Sequence, residues 1–184
     1  MIPDMSLPTN DLPSPWVIRF LPLIEPGGSV LDLACGGGRH SRLLAARGHR
    51  VEAVDRDAGA LAQLAGVDGV ATREADLEGG PWPFHGAVFD GIVVTNYLYR
   101  PLLPLLFNAL EVNGVLIYET FMVGNERFGK PSNPAFLLRP GELLELVRRR
   151  LTVVAFEQGE VMEPRPAVVQ RLCATRRLEP RLPA

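Results

Sequence analysis

A chain of 184 residues with 47% hydrophobic and 22% charged side chains has the length and balance of one soluble globular domain, which excludes a wholly disordered chain. No apolar run reaches the roughly 18 residues of a membrane span, and Asp4 stands where a secretory leader would be basic. With 21 acidic against 19 basic residues, net charge -2, the footprint of a nucleic-acid binder is also missing.

In chain order, residues 1–15 carry Pro3, Pro8, Pro13 and Pro15 and read as an irregular tail or cap ahead of a single domain over residues 16–184. Residues 16–24 place Trp16, Val17, Phe20, Leu21 and Ile24 on one face of a short helix that Pro22 must kink or end. Residues 29–34 form an apolar run of strand length, followed by Gly36-Gly37-Gly38 and by a helical pattern closed at Gly48. A second strand at 50–55, a helix at 57–65 and a weaker strand at 70–75 repeat the rhythm. Gly79, Gly80, Pro81 and Pro83 break the next connection, so residues 76–88 are expected to be a loop or a single turn. A fourth strand at 89–95, a helix at 102–110 and a fifth strand at 114–120 follow. Residues 121–136, with Gly124, Gly129, Pro131 and Pro134, are too irregular for a plain connection and read as a lid. Pro140 suits the first turn of a helix running to about residue 150. Residues 151–157 and 167–175 pair as a closing hairpin. The sum is an α/β fold: a Rossmann-like doubly wound, mostly parallel sheet with a C-terminal antiparallel hairpin.

The chemistry is concentrated in VLDLACGGGRHS, residues 30–41. Here a strand ends and a helix begins with three glycines between them, which is where an open α/β sheet binds nucleotides. Asp32, Asp55 and Asp76 fall near the carboxyl ends of three adjacent strands and line one edge of one crevice. Dinucleotide binding through G-x-G-x-x-G would need a glycine at Ser41, and Asp32 would repel a pyrophosphate but not a cationic ligand. The pattern Asp32-x-Ala34-x-Gly36-x-Gly38 resembles the first motif of the class I methyltransferases that use S-adenosylmethionine, with Ala34 in place of the usual first glycine. Within them, ACGGGRHS and the segment GNERFGKPSNPAFLLRPGELLELV look most like the small tellurite-resistance type.

The resemblance implies an enzyme with S-adenosylmethionine as cofactor. Asp32 and the backbone of Ala34, Gly36 and Gly38 would surround its methionine part; apart from the resemblance, Arg39 at the helix start is read as a partner for the methionine carboxylate, although a cation there stands against the helix dipole. Asp55 would accept both ribose hydroxyls, Arg56 would flank the adenine, and Asp76 with Leu77 would meet the adenine amino group and ring. Asn96 would bond to cofactor or acceptor, and Tyr97 and Tyr99 would wall the acceptor or assist proton removal.

Each candidate has a plainer alternative: one tyrosine in the core, His40 as a packed or solvated histidine, Glu119 as a loop cap, and Arg165 as part of a rigid turn. Arg148, Arg149 and Arg150 complement a helix C-terminus. Cys35 and Cys173 have neither disulfide nor zinc spacing and read as buried thiols, so no metal is expected and the compartment is expected to be cytoplasmic. The functional expectation is methyl transfer to a small-molecule acceptor, with no nucleic-acid or membrane partner. A catalytically silent module that binds the same cofactor and an NAD-type oxidoreductase are the alternatives.

Overall fold

The computed structural model describes residues 12–180 and 182–183, so positions 1–11 of the expected tail lie outside the described residues. Strands β1 (Ser29–Leu33), β2 (Arg50–Asp55), β3 (Val70–Glu74), β4 (Phe89–Thr95), β5 (Leu110–Phe121), β6 (Thr152–Val161) and β7 (Ala167–Thr175) form one sheet in the order β3-β2-β1-β4-β5-β7-β6. The first five are parallel, and β7 runs antiparallel to both β5 and β6. Strand order reverses beside β1, which pairs with β2 on one side and β4 on the other. An open α/β sheet has its binding crevice at such a point, outside the carboxyl ends of the strands.

Both faces of the sheet are covered, as its apolar strands require. Alternation along the chain divides the side chains: Val30, Val115 and Ile117 join the cluster under α1 (Pro15–Phe20) and α2 (Arg39–Ala46). Leu31, Leu116 and Tyr118 join the other, under α4 (Leu103–Asn108) and α5 (Glu142–Val147). The helix α3 (Ala58–Ala62) is capped by Asp57, whose Oδ1 accepts from the Gly59 and Ala60 amides.

Several expected boundaries are corrected. The first helix begins at Pro15 on its Ser14 cap and gives way at Leu21 to a 3-10 turn containing Pro22. α3 stops at Ala62, short of residue 65. Residue 110 belongs to β5 and not to a helix, because Leu110 already pairs with Phe89 before a bulge shifts the register to Gly91 and Val115. Pro140 lies outside α5, since Gly141 caps that helix with a left-handed φ of 74° that no helix interior admits, and residues 148–150 form a turn. β6 runs on to Val161.

The connection between β3 and β4 has no helix, as its glycines and prolines imply. Aromatic rings cover the sheet there instead: Trp82 and Phe84 meet at 5.3 Å between centroids, Phe84 and Phe89 at 5.5 Å, both edge to face. Residues 121–136 contain two 3-10 turns, Asn125–Arg127 and Pro134–Phe136. The buried Asn125 ties this stretch down by donating to the Pro131 carbonyl and accepting from the Val168 amide.

Candidate functional site

Two adjoining clefts open at the carboxyl edge of β1, β2 and β4, of about 340 Å³ and 790 Å³. They share Ala34, Asn96 and Tyr97 as a common wall. Ala34 follows β1 and Asn96 follows β4, and both hold left-handed backbone, φ 53° and 55°. A side chain in that region costs of order 1 kcal/mol or more, and such strain collects at functional sites.

The first cleft brings together Asp55, Arg56, Asp76 and Leu77 from the sequence candidates. At the end of β2, Asp55 accepts from the Gly36 amide through Oδ2 (2.8 Å) and from the Asp57 amide through Oδ1 (3.0 Å). The carboxylate is thereby fixed over the glycine loop, and each oxygen retains a second lone pair for a ligand. Asp76 accepts from the Glu78 amide, and backbone donors from Glu78 and Gly79 hold its carboxyl below the usual range. A rigid acceptor pair of this kind suits a vicinal diol and an exocyclic amine, so the residues present fit an adenosyl group.

Asp32, Gly38 and Tyr99 line neither cleft. Asp32 is 1% exposed beneath the glycine loop, where its Oδ2 accepts from Ser41 Oγ at 2.6 Å. Burial raises its pKa to about 6, against the opposing bonds from Ser41. Its carboxylate thus holds Ser41 in the first turn of α2, and it is not among the residues lining the two clefts. Gly38 caps α2 at φ 76°, and a Cβ there would overlap the Leu64 methyls, so the glycine is required by backbone and neighbour alike. Gly36 and Arg39 line the second cleft, with Arg39 Nη1 donating to the Leu12 carbonyl at 3.1 Å.

The candidates for base chemistry are held as follows. Tyr99 donates to the Glu78 carbonyl at 3.0 Å, outside both clefts. Tyr97 stays on the shared wall, its buried hydroxyl without a hydrogen-bond partner among the described residues. Burial first, then Glu78 and Asp76, push its pKa well above the ordinary phenol value, which opposes a phenolate. His40 is 2% exposed: its Nε2 accepts from the Ser14 amide at 3.0 Å, and Nδ1 lies 3.3 Å from Thr95 Oγ1. An accepting Nε2 assigns the ring proton to Nδ1. Burial lowers its pKa to about 3. Glu119 pairs with Arg171 across β5 and β7.

The second cleft also contains residues whose sequence signals are weak. Arg165, from the β6–β7 connection, lines it and carries its guanidinium 5.9 Å from the Phe121 ring centroid. It therefore lies at the site as well as in the turn between β6 and β7. Arg42 lines the same cleft, donating to the Gly37 carbonyl at 2.7 Å and the Gln63 carbonyl at 2.8 Å. Thr120, Pro131 and Phe136 complete the first cleft. Only their place after a strand or in the irregular stretch hinted at them.

Residues 30–111 match the family model of a methyltransferase domain. Curated relatives include the protein-L-isoaspartate O-methyltransferases of Gloeobacter violaceus (34% identical over 127 residues, 62% of this chain) and Chlorobaculum tepidum (30% over 128 residues, 61% of this chain). The chain spans 60% and 56% of those relatives' lengths. Among solved structures, TehB from Haemophilus influenzae superposes with a TM-score of 0.71 at 20% identity, covering 88% of this chain and 61% of that one. A TehB-like methyltransferase from Corynebacterium glutamicum gives 0.63 at 20% identity, over 88% and 87%. The fold is therefore that of these enzymes.

Proposed function

We propose, for a chain that carries a class I S-adenosylmethionine-dependent methyltransferase domain, that it is an enzyme transferring the cofactor's methyl group to a small-molecule acceptor in the cytoplasm. Residues 16–184 are read as the one domain that does so. The observation that carries the reading is Asp55, fixed by two backbone amides over the glycine loop in a cleft walled by the strained Ala34 and Asn96.

S-adenosylmethionine supplies a methyl group on a sulfonium, a leaving group that needs no acid. The chain's own work is then positional. Asp55 and Asp76 bind the adenosine end, Arg56 and Leu77 border it, and the Gly36 backbone with Arg39 meets the amino-acid end. Holding acceptor and methyl carbon about 3 Å apart in line with the breaking bond removes much of the barrier without a general base. Asn96 and Tyr97, present in both clefts, orient the acceptor.

The relatives named for protein-L-isoaspartate methylation support a second reading, in which the acceptor is a protein carboxylate. Purified protein with labelled cofactor, offered separately to a panel of small acceptors and to isoaspartyl peptide, tests both. Label in small products alone supports the proposal. Label in peptide alone replaces the acceptor class, and cofactor binding without any transfer supports a silent module.

A further inference from the structure

We propose, on the methyltransferase reading of this site, that the half of the first cleft beside β4 and β5 seats the acceptor and takes an uncharged, ring-sized apolar body. Phe136 is its wall, and Arg100 is the positioning residue that holds Phe136 there. The first ground is how the cleft divides. Its charged lining residues, Asp55, Arg56, Asp76 and Glu78, all end or follow β2 and β3. From β4 onward the lining is Leu98, Phe121, Pro131 and Phe136, with Asn96, Tyr97 and Thr120 as the polar members and no charged one among the described residues. Three strand spacings, roughly 14 Å, separate β2 from β5. An adenosyl group held by Asp55 and Asp76 therefore leaves the β5 end to a second molecule, and an apolar wall with a few placed polar groups suits a small organic one.

The second ground is exposure. Leu137 and Leu138 are 2% and 0% exposed, whereas Phe136 just before them is left 44% exposed at the cleft. A ring in water on a concave surface gains free energy when a ligand covers it. Phe121 and Leu98, both buried from bulk water, line the same space. Arg165 meets the Phe121 ring from the second cleft and does not line the first. A charged body would lose its hydration in this half without an ionic partner in return.

The third ground is that the wall is built. Arg100 follows the turn that carries Asn96 and Tyr97, and its guanidinium donates to the two carbonyls flanking Phe136, those of Ala135 at 2.8 Å and Leu137 at 2.9 Å. The same group meets both oxygens of the buried Glu142, at 2.7 Å and 3.0 Å. Only the planar fork of an arginine makes all of these bonds at once. On the same stretch, the Pro131 carbonyl accepts from the buried Asn125 at 3.1 Å. Across the cleft, Tyr118 donates to the Tyr97 carbonyl at 2.9 Å and fixes the facing wall. Arg100 lines neither cleft, yet it sets the two walls of this half at a fixed separation.

The test is saturation-transfer NMR with indole as a neutral ring probe and benzoate as its charged counterpart, beside calorimetry with S-adenosylhomocysteine. It uses the full chain, Phe136→Ala and Arg100→Lys. Indole is expected to bind the S-adenosylhomocysteine-loaded protein and benzoate is not. Phe136→Ala, at an exposed position that folding does not depend on, should weaken indole about tenfold, the loss of one covered ring, with S-adenosylhomocysteine affinity unchanged. Arg100→Lys keeps a cation beside Glu142 but cannot hold both carbonyls, so indole should weaken there too while S-adenosylhomocysteine does not. Displacement of indole by S-adenosylhomocysteine, indole binding indifferent to Phe136→Ala, or benzoate binding as well as indole would overturn the proposal. Equal losses of both ligands in Arg100→Lys would overturn the positioning role. Failure of S-adenosylhomocysteine to bind at all would overturn the methyltransferase reading and the seat of the acceptor with it.

Discussion

His40 and Asp32 are buried titratable residues at the start of the same helix, and their pH effects have opposite sign. His40 has a folded pKa of about 3 against an ordinary 6.5, so its stabilising contribution is whole above pH 6.5 and lost as pH falls toward 3. Asp32 is raised from 3.8 to about 6, so its contribution is whole below pH 3.8 and lost as pH rises through 6. Replacing His40→Gln should remove the first effect only. Urea denaturation across pH 4–7 is then expected to show the gap between wild type and variant shrinking by roughly 1 kcal/mol per pH unit on acidification; parallel curves would refute the assignment. At Asp55, substitution by Ala should cost about 1.5–3 kcal/mol of S-adenosylhomocysteine binding, the range for hydrogen bonds to a charged group, and calorimetry reads it directly. The place of Asp55 at the first cleft is legible because it ends a strand beside the glycine loop. The burial of Asp32 is not legible, because sequence spacing gives its position along the strand but not that its side chain turns under the loop to meet Ser41.

At the scale of elements, α2 and the 134–142 stretch carry the site's geometry. Gly38→Ala would put a methyl into Leu64 and demand a left-handed alanine. A loss of about 2 kcal/mol or more is expected from overpacking and backbone strain together, measurable as a lowered denaturation midpoint. Glu142 is 3% exposed and accepts from both Arg100 Nε at 2.7 Å and the Arg139 amide at 2.8 Å, while Arg100 also donates to the Ala135 and Leu137 carbonyls. Breaking this partly buried pair with Arg100→Leu should destabilise the protein by about 3 kcal/mol and open residues 134–139 to protease. Strands are legible where they form largely buried runs, as in β1, β4 and residues 114–121 of β5. Helix ends are not. α5 is six residues long because Gly141 takes a left-handed turn, and β5 starts early because Leu110 finds a partner in Phe89. Both outcomes depend on tertiary pairing that local periodicity does not encode.

For the whole molecule, charge is divided between the two clefts, with Asp55, Asp76 and Glu78 lining the first and Arg39, Arg42 and Arg165 the second. The net charge of -2 argues against a polynucleotide partner, yet the arginine-lined cleft is a local exception to it. An anisotropy titration with tRNA and duplex DNA at about 150 mM salt, near physiological ionic strength, is expected to show no tight binding; salt-sensitive affinity with methyl incorporation into the polymer would reverse that expectation. The division into clefts was invisible in the sequence. Arg165 stands more than a hundred residues from Arg39 and Arg42, and only the hairpin of β6 and β7 returns it to them.

The aromatic cover over the helix-free β3–β4 connection makes the protein a two-colour spectroscopic object. Its two tryptophans fall on opposite faces of the sheet. Trp16 is 3% exposed in the α1 cluster with its Nε1 donating to the Leu172 carbonyl. Trp82 is half-buried against the cluster that contains Leu77, a wall of the first cleft. Emission from Trp82 should therefore follow ligand entry, while that of Trp16 follows only unfolding, so a Trp82→Phe variant would silence the binding signal and leave the denaturation signal intact.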